Sequence, residues 1–233
     1  MPSYKMFRIH DSKKLNSFLS NNWMNSLKTP SGLSESVRRK FNQIKSNIKE
    51  SELISNENGK KYIMKCKYKM EFETSEIWIS ISLEMIINRD LIIIQQQQTG
   101  INFLIETSLY DILIPISFPN KDLYNLWTFF RQKMDTEGKS IHLHRLIIEN
   151  VNFYKDKISE MNISSNDISE IESFNDLIED SQKIKVITLK LSGLTKKKKN
   201  FTVRIAQNQF QIYGTHSIDT VSKFIDYFNT YLK

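Results

Sequence analysis

The residues whose types and spacing could do chemistry are few. His142 and His144 lie two apart in the segment IHLHRLIIENVNFY, which puts both on one face if the segment is a strand. Such a pair could begin a metal site. Zinc asks for three or four ligands, and the only other histidines are His10 and His216. The single cysteine, Cys66, excludes an internal disulfide or a cysteine cluster and fits a reducing compartment. The glycines stand alone at positions 32, 59, 100, 138, 193 and 214, so no glycine-rich phosphate loop exists. Neither a nucleophile elbow nor an acidic pair at catalytic spacing is present. The expectation is a protein that is not an enzyme, with no cofactor and no small-molecule substrate. What remains is cationic. The run Lys196, Lys197, Lys198 and Lys199 could grip phosphates, and so could Arg38, Arg39 and Lys40. A solvated turn and an exposed helix face are the plain alternatives, and Arg38–Lys40 could also be a nuclear address.

The placement of charge supports a polyanionic partner. The chain has 233 residues and a net charge of +7. Residues 1–61 carry 12 Lys/Arg against 5 Asp/Glu, a local +7, whereas residues 155–182 carry 2 against 8, a local −6. A basic face suits nucleic acid, and the acidic segment is either a docking site for a basic factor or a solvated insertion. Hydrophobic content of 39% is that of a globular chain with a real core. The longest apolar runs, such as Leu91–Ile94, are strand-sized, so no membrane partner is expected. The start, MPSYKMFRIHDSKK, has no apolar stretch after its charges, which predicts an intracellular protein without a secretory signal.

Several elements follow from periodicity. Residues 12–28 read as a helix capped by Asp11 or Ser12, with Leu15, Phe18, Leu19, Trp23 and Leu27 on one face. A second helix over 34–50 has Leu33, Val37, Phe41, Ile44 and Ile48 on one stripe and shows Arg38, Arg39, Lys40, Lys45 and Lys49 on its other face. Tyr62–Phe72 and Ile77–Met85 alternate apolar and polar residues, the pattern of strands with one buried face. Strands are also predicted at Leu91–Gln98, Ile141–Tyr154 and Lys183–Leu191, with helix and loop over 155–182.

An offset of 98 relates residues 102–135 to residues 200–233. Asn102-Phe103 falls on Asn200-Phe201, and Ile114 falls on Ile212. The stripe Leu123, Leu126, Trp127, Phe130 and Met134 falls on Val221, Phe224, Ile225, Phe228 and Leu232. This predicts a strand-turn-strand-helix unit present twice. The class expected is α+β, with antiparallel strands and a long helix after each set.

At Gln209-Phe210-Gln211-Ile212-Tyr213-Gly214-Thr215-His216-Ser217, followed by an amphipathic helix, the chain resembles the TATA-binding protein family. It is most similar to the divergent TATA-binding-like proteins of large nucleocytoplasmic DNA viruses, whose first hairpin ends in an isoleucine-proline step like Ile114-Pro115. The resemblance implies a saddle of two curved antiparallel pseudo-repeats with convex-side helices. These would be residues 61–135 and 141–233, with an acidic insertion at 155–182 and a basic helical N-terminal extension at 1–60. It implies a transcription factor that binds duplex DNA, A·T-rich, in the minor groove and recruits transcription factors or RNA polymerase subunits. The setting implied is a host nucleus or a cytoplasmic viral factory, with packaging in the virion possible. The DNA-facing residues carried over are Ile105, Thr107, Leu113 and Pro115 in the first half and Val203, Ile205, Gln211 and Tyr213 in the second. Ile205 and Thr107 stand where the family inserts phenylalanine wedges, and Ile116 stands opposite Gly214. Phe103, Phe201, Phe210, Val203 and Ile205 serve either as core or as DNA platform, and Asn102, Asn150, Asn152 and Asn200 either read base edges or are simply polar. Two other functions stay open: a protein-interaction scaffold with a degenerate saddle, and the nucleic-acid-gripping domain of an RNA- or DNA-processing system.

Overall fold

The computed structural model describes residues 2–20, 23–29, 31–56, 60–72, 75–96, 100–119, 122–153, 156–194, 201–214 and 216–233. In chain order the strands are β1 (Ser3–Ile9), β2 (Ile48–Ser55), β3 (Lys61–Phe72), β4 (Ser75–Asn88), β5 (Leu91–Gln96), β6 (Leu113–Pro115), β7 (Ile141–Phe153), β8 (Asp156–Ser164), β9 (Ser181–Leu191), β10 (Phe201–Ala206) and β11 (Phe210–Tyr213). The helices are α1 (Ser12–Ser20), α2 (Trp23–Ser26), α3 (Glu35–Ser46), α4 (Ile101–Ser108), α5 (Asp122–Thr136), α6 (Phe174–Asp180) and α7 (Ile218–Tyr231), with a 3-10 turn at Ile168–Glu170. The strands form one hydrogen-bonded sheet in the order β2-β3-β4-β5-β1-β11-β10-β9-β7-β8, with β6 paired to β1 off this path. The chain divides into two compact units, Lys5–Pro115 and Met1–Tyr4 with Ile116–Lys233.

In the N-terminal unit the helices start where the sequence supplies caps. The Asp11 carboxylate accepts the Lys14 amide at 3.0 Å and so opens α1. That bond is the first reason its carboxyl titrates below the usual range, and the Lys14 charge adds to it while partial desolvation opposes it. Ser34 accepts from the Val37 amide to open α3. β3 and β4 pair over their whole length, from Lys61↔Ile86 to Phe72↔Ser75. Cross-strand partners share a face, so Met64, Cys66, Ile81, Leu83 and Met85 turn together into one core with Leu15, Phe18, Trp23, Phe41 and Leu104.

In the C-terminal unit β10 buries Phe201, Val203 and Ile205 and half-exposes Thr202, Arg204 and Ala206. The buried face meets α7: the Phe201 and Phe224 rings lie 5.1 Å apart, and Phe210 lies 6.1 Å from Phe224. α5 closes the same core, with Phe130 edge-on to Phe228 at 5.1 Å. Rings in such tilted contacts add about 0.5–1.5 kcal/mol each beyond their burial. The turn between β11 and α7 requires Gly214, whose φ of 85° lies in the left-handed region. Ser217 then caps α7 by accepting the Thr220 amide.

The expected α+β saddle of two curved pseudo-repeats with convex-side helices, plus a helical N-terminal extension, is corrected by these findings. One antiparallel sheet of eleven strands carries the fold. The offset of 98 superposes unlike elements in the first strand, since residues 103–108 lie in helix α4 where their counterpart Phe201–Ala206 is strand β10. The second strand and the helix stripes do match: β6 at Leu113–Pro115 falls on residues 211–213 of β11, with Ile114 on Ile212 as expected. Leu123, Leu126, Trp127, Phe130 and Met134 are buried on α5, as are Val221, Phe224, Ile225 and Phe228 on α7, while Leu232 falls at the C-cap. Residues 1–60 are not a helical extension, because Ser3–Ile9 and Ile48–Ser55 are strands of the sheet. Within 155–182 the first part is strand β8, not helix and loop.

Candidate nucleic-acid interface

The face of β7, β9, β10 and β11 opposite α5 and α7 holds the arrangement with the clearest chemistry. Alternation dictates its members. With Phe201, Val203 and Ile205 turned inward, Thr202 and Arg204 must turn outward, and their partners on β11 are Tyr213 and Gln211. On β9, Thr202 pairs with Lys190 and Arg204 with Thr188. On β7, Lys190 meets His142 and Thr188 meets Arg145, a bulge having shifted the register between Leu143 and Arg145. Two rows therefore cross four strands: Tyr213, Thr202, Lys190, His142, and Gln211, Arg204, Thr188, Arg145.

The charges of these rows are little neutralised. Arg204 contacts the Gln211 amide oxygen at 3.4 Å, and Arg145 donates from Nε to Asn162 at 3.0 Å. Among the described residues none of Arg145, Lys190 and Arg204 pairs with a carboxylate. Farther along the ladder the face is neutral. Glu149 takes Lys183 at 3.0 Å and Lys185 at 3.2 Å, and Lys185 also reaches Glu160 at 2.7 Å. The hydrogen bonds from Lys183 and then Lys185 hold the Glu149 carboxyl below the usual glutamate range. His142 Nδ1 lies 2.9 Å from Asp167 Oδ2. Burial raises the Asp167 carboxyl, but hydrogen bonds from Ser169, His142 and the Leu143 amide together bring it below its ordinary value.

The corresponding basic column of the N-terminal unit is different. Lys61, Lys65, Lys67 and Lys69 share a face of β3, and each has a glutamate partner: Glu84, Glu52, Glu50 and Glu76 respectively. These are cross-strand or neighbouring-strand pairs that leave little net field. On α3, Arg39 is taken by Glu35 one turn earlier, Lys40 lies over the Phe103 ring at 4.7 Å, and Arg38 is exposed. An open recess of about 670 Å³ beside them is lined by Glu35, Ser36, Arg39, Lys40 and Gln43.

The positions carried over from the resemblance fall in several environments. Val203 and Ile205 are buried at 0% and 1% exposure, on the packed face of β10. Gln211 and Tyr213 are half-buried on the outer face, beside Arg204 and Thr202. In the N-terminal unit Ile105 and Thr107 are on helix α4, with Ile105 fully buried, and Leu113 and Pro115 are on β6, buried and exposed respectively. The expected phosphate-gripping run of Lys196, Lys197, Lys198 and Lys199 lies outside the described residues, between β9 and β10 in the chain, as does Asn200. Asn102 is buried and donates to the Gln95 carbonyl at 2.8 Å, while Asn150 is exposed at a φ of 55°. Asn152 is a residue of β7 whose side chain is outside the description. His142 and His144 do not converge, because His144 falls in the register shift and binds the Ser165 carbonyl. Among the described residues no group of three or more His, Cys, Asp or Glu is placed to hold a metal ion.

Sequence reasoning missed Thr188, Lys190, Thr202, Arg204 and Arg145. The signal was present: Phe-Thr-Val-Arg-Ile-Ala alternates strictly, so the apolar residues define the buried face and Arg204 the open one. Comparison with protein-family models, with curated proteins and with solved structures finds no match. Among the described residues no helix is long and apolar enough to cross a membrane.

Proposed function

We propose that this protein binds duplex nucleic acid, without catalysing a reaction, through the outer face of β7, β9, β10 and β11. One contrast supports the reading. Arg145, Lys190 and Arg204 lie on a shared sheet face without carboxylate partners among the described residues, whereas the lysines of the β3 face are each ion-paired. Unpaired cations on this face can neutralise phosphates, while residues such as Gln211 and Thr202 supply uncharged donors and acceptors beside them. The resemblance of Gln209–Ser217 to the TATA-binding family supports DNA as the ligand and a place in a transcription apparatus, with transcription factors or polymerase subunits as partners. An apolar underside in a widened minor groove forms no part of the proposal, since Val203 and Ile205 belong to the core.

Fluorescence anisotropy of labelled A·T-rich and scrambled duplexes at two salt concentrations tests it. Binding should weaken steeply with salt, with a slope near −0.9 for each phosphate neutralised, roughly −3 for three cations. Absence of binding to either duplex at low salt rejects the proposal. A protein-scaffold reading is favoured by a different observation, the exposed Ile77 and Trp78 near the β3–β4 turn, at 48% and 39% exposure. It predicts that polymerase or factor subunits are retained from nuclease-treated lysate, and that an Ile77→Ser/Trp78→Ser double variant loses them.

A further inference from the structure

Thr188 is the middle of the second row, and it is flanked on both sides by arginine. Arg204 of β10 and Arg145 of β7 are each its register partners. Cross-strand partners sit about 4.5–5.5 Å apart, so the two arginine backbones are about 10 Å apart with the threonine between them. Two buried polar atoms in this row have no hydrogen-bond partner among the described residues: Thr188 Oγ1 and Arg204 Nε. Thr188 itself is 5% exposed. Buried donors without partners are rare in folded proteins, and those that occur call for a bound water, an ion or a ligand. Here both orphans are neighbours, one is cationic, and among the described residues Arg145 engages its Nε alone, on Asn162.

We propose that Arg145, Thr188 and Arg204 form a clamp for a single phosphate group, resting on the nucleic-acid reading above and locating its tightest contact. A phosphate seated over Thr188 accepts from the hydroxyl and from the Arg204 Nε–H, while both guanidinium forks close on its remaining oxygens. Guanidinium is suited to this because its planar donors match two phosphate oxygens at once, which a lysine ammonium cannot do. The hydroxyl is buried, so the side chains over it must shift to admit the ligand. Lys190, one row away, adds charge without a fork. The chemistry recognised is a phosphate group, supplied either by the diesters of a nucleic-acid backbone or by free phosphate.

The full-length protein is titrated into a fluorescein-labelled duplex of about 16 base pairs, comparing wild type with Arg204→Lys, Arg145→Lys, Thr188→Val and Lys190→Gln. Arg204→Lys keeps the charge and removes the fork. It should weaken binding about tenfold, the range of a lost hydrogen bond to a charged group, with the salt slope unchanged. Lys190→Gln should weaken binding less at moderate salt but lower the slope by about 0.9. Thr188→Val, which replaces the orphan hydroxyl by a methyl, should fold with unchanged or raised Tm and lose affinity, separating a ligand contact from a folding defect. If wild type binds the duplex and both lysine variants bind within twofold of it, the clamp is wrong and the interface reading stands. Should no duplex bind at low salt, the interface reading fails, and inorganic phosphate decides on the clamp alone. A rise in Tm with phosphate over chloride of equal ionic strength, lost in Arg204→Lys, would keep it as a free-phosphate seat. No such rise would overturn it as well.

Discussion

Truncating Ile205 to alanine separates the two ways of reading β10. Its side chain is 1% exposed, on the strand face that carries Phe201 and Val203 against α7. Removing a buried isoleucine to alanine costs about 2–5 kcal/mol, the lost transfer energy plus that of the cavity left behind. The site here offers little relaxation, because Ile205 is held between Phe210 on β11 and Ile187 on β9. A value of about 3 kcal/mol with a urea slope of about 2 kcal/mol/M moves the unfolding midpoint by roughly 1.5 M. The neighbouring Thr202→Ala, on the opposite face, should stay within about 0.5 kcal/mol. Urea denaturation followed by the far-UV circular dichroism signal measures both, and anisotropy at a urea concentration where each remains folded measures duplex affinity. The expected outcome is a large stability loss with unchanged affinity for Ile205→Ala. Unchanged stability together with lost duplex binding would show that Ile205 faces ligand and that the assignment of faces is inverted.

Other perturbations address single contacts. Lys67→Gln should change stability by less than about 0.5 kcal/mol and leave duplex affinity unaltered, since its Glu50 partner is solvent-exposed and the pair is screened; equilibrium denaturation and anisotropy check the two halves. Burial pushes the Cys66 thiol up to about 11, so a thiol reagent at neutral pH should label it only as fast as the protein opens, and labelling at the rate of a free thiol would contradict its place in the core. The Asp167 carboxyl is held below its unfolded value near 3.8, so its contribution is fully present above that value and is lost as the pH falls through the lower native one. Asp167→Asn should accordingly flatten the acid limb of stability against pH, read by thermal melts between about pH 2 and pH 5. At Gly100, a Cβ would lie 2.8 Å from the Ile44 side chain, so Gly100→Ala should destabilise by about 1–3 kcal/mol, and an Ile44→Val background should relieve part of that loss in a double-mutant cycle.

The parts legible in the sequence are those where one periodicity dominates over a long stretch. The stripes on α5 and α7 run for three turns and more, and the β3 and β4 alternations leave no competing reading. Ile101–Ser108 failed because it is eight residues, half of them β-branched or aromatic, too short for a strand and a helix to be told apart by composition. Its buried residues are Ile101, Asn102, Leu104 and Ile105, followed by Leu109, a spacing that belongs to a helix and that the alignment at offset 98 overrode. β1 was missed for a related reason: Tyr4, Met6 and Phe7 are all buried, so the strand shows no strict alternation.

Composition located the basic charge near the amino terminus, but a count of lysines does not say which ones retain a field. In the N-terminal unit the strand register places a glutamate against each lysine of β3, from β2 on one side and β4 on the other, so those four cations leave little net field on their face. In the C-terminal unit the nearest carboxylates, Glu149 and Glu160, are taken by Lys183 and Lys185, and Asp167 by His142. Among the described residues of its sheet strands, what is left over is Arg145, Lys190 and Arg204, three residues joined by the register of β7, β9 and β10. If the proposed interface is right, neutralising the β3 lysines together should alter duplex affinity less than changing Arg204 alone, although it removes more positive charge. An affinity that instead tracked net charge, whichever residues were changed, would mean that no particular face is used.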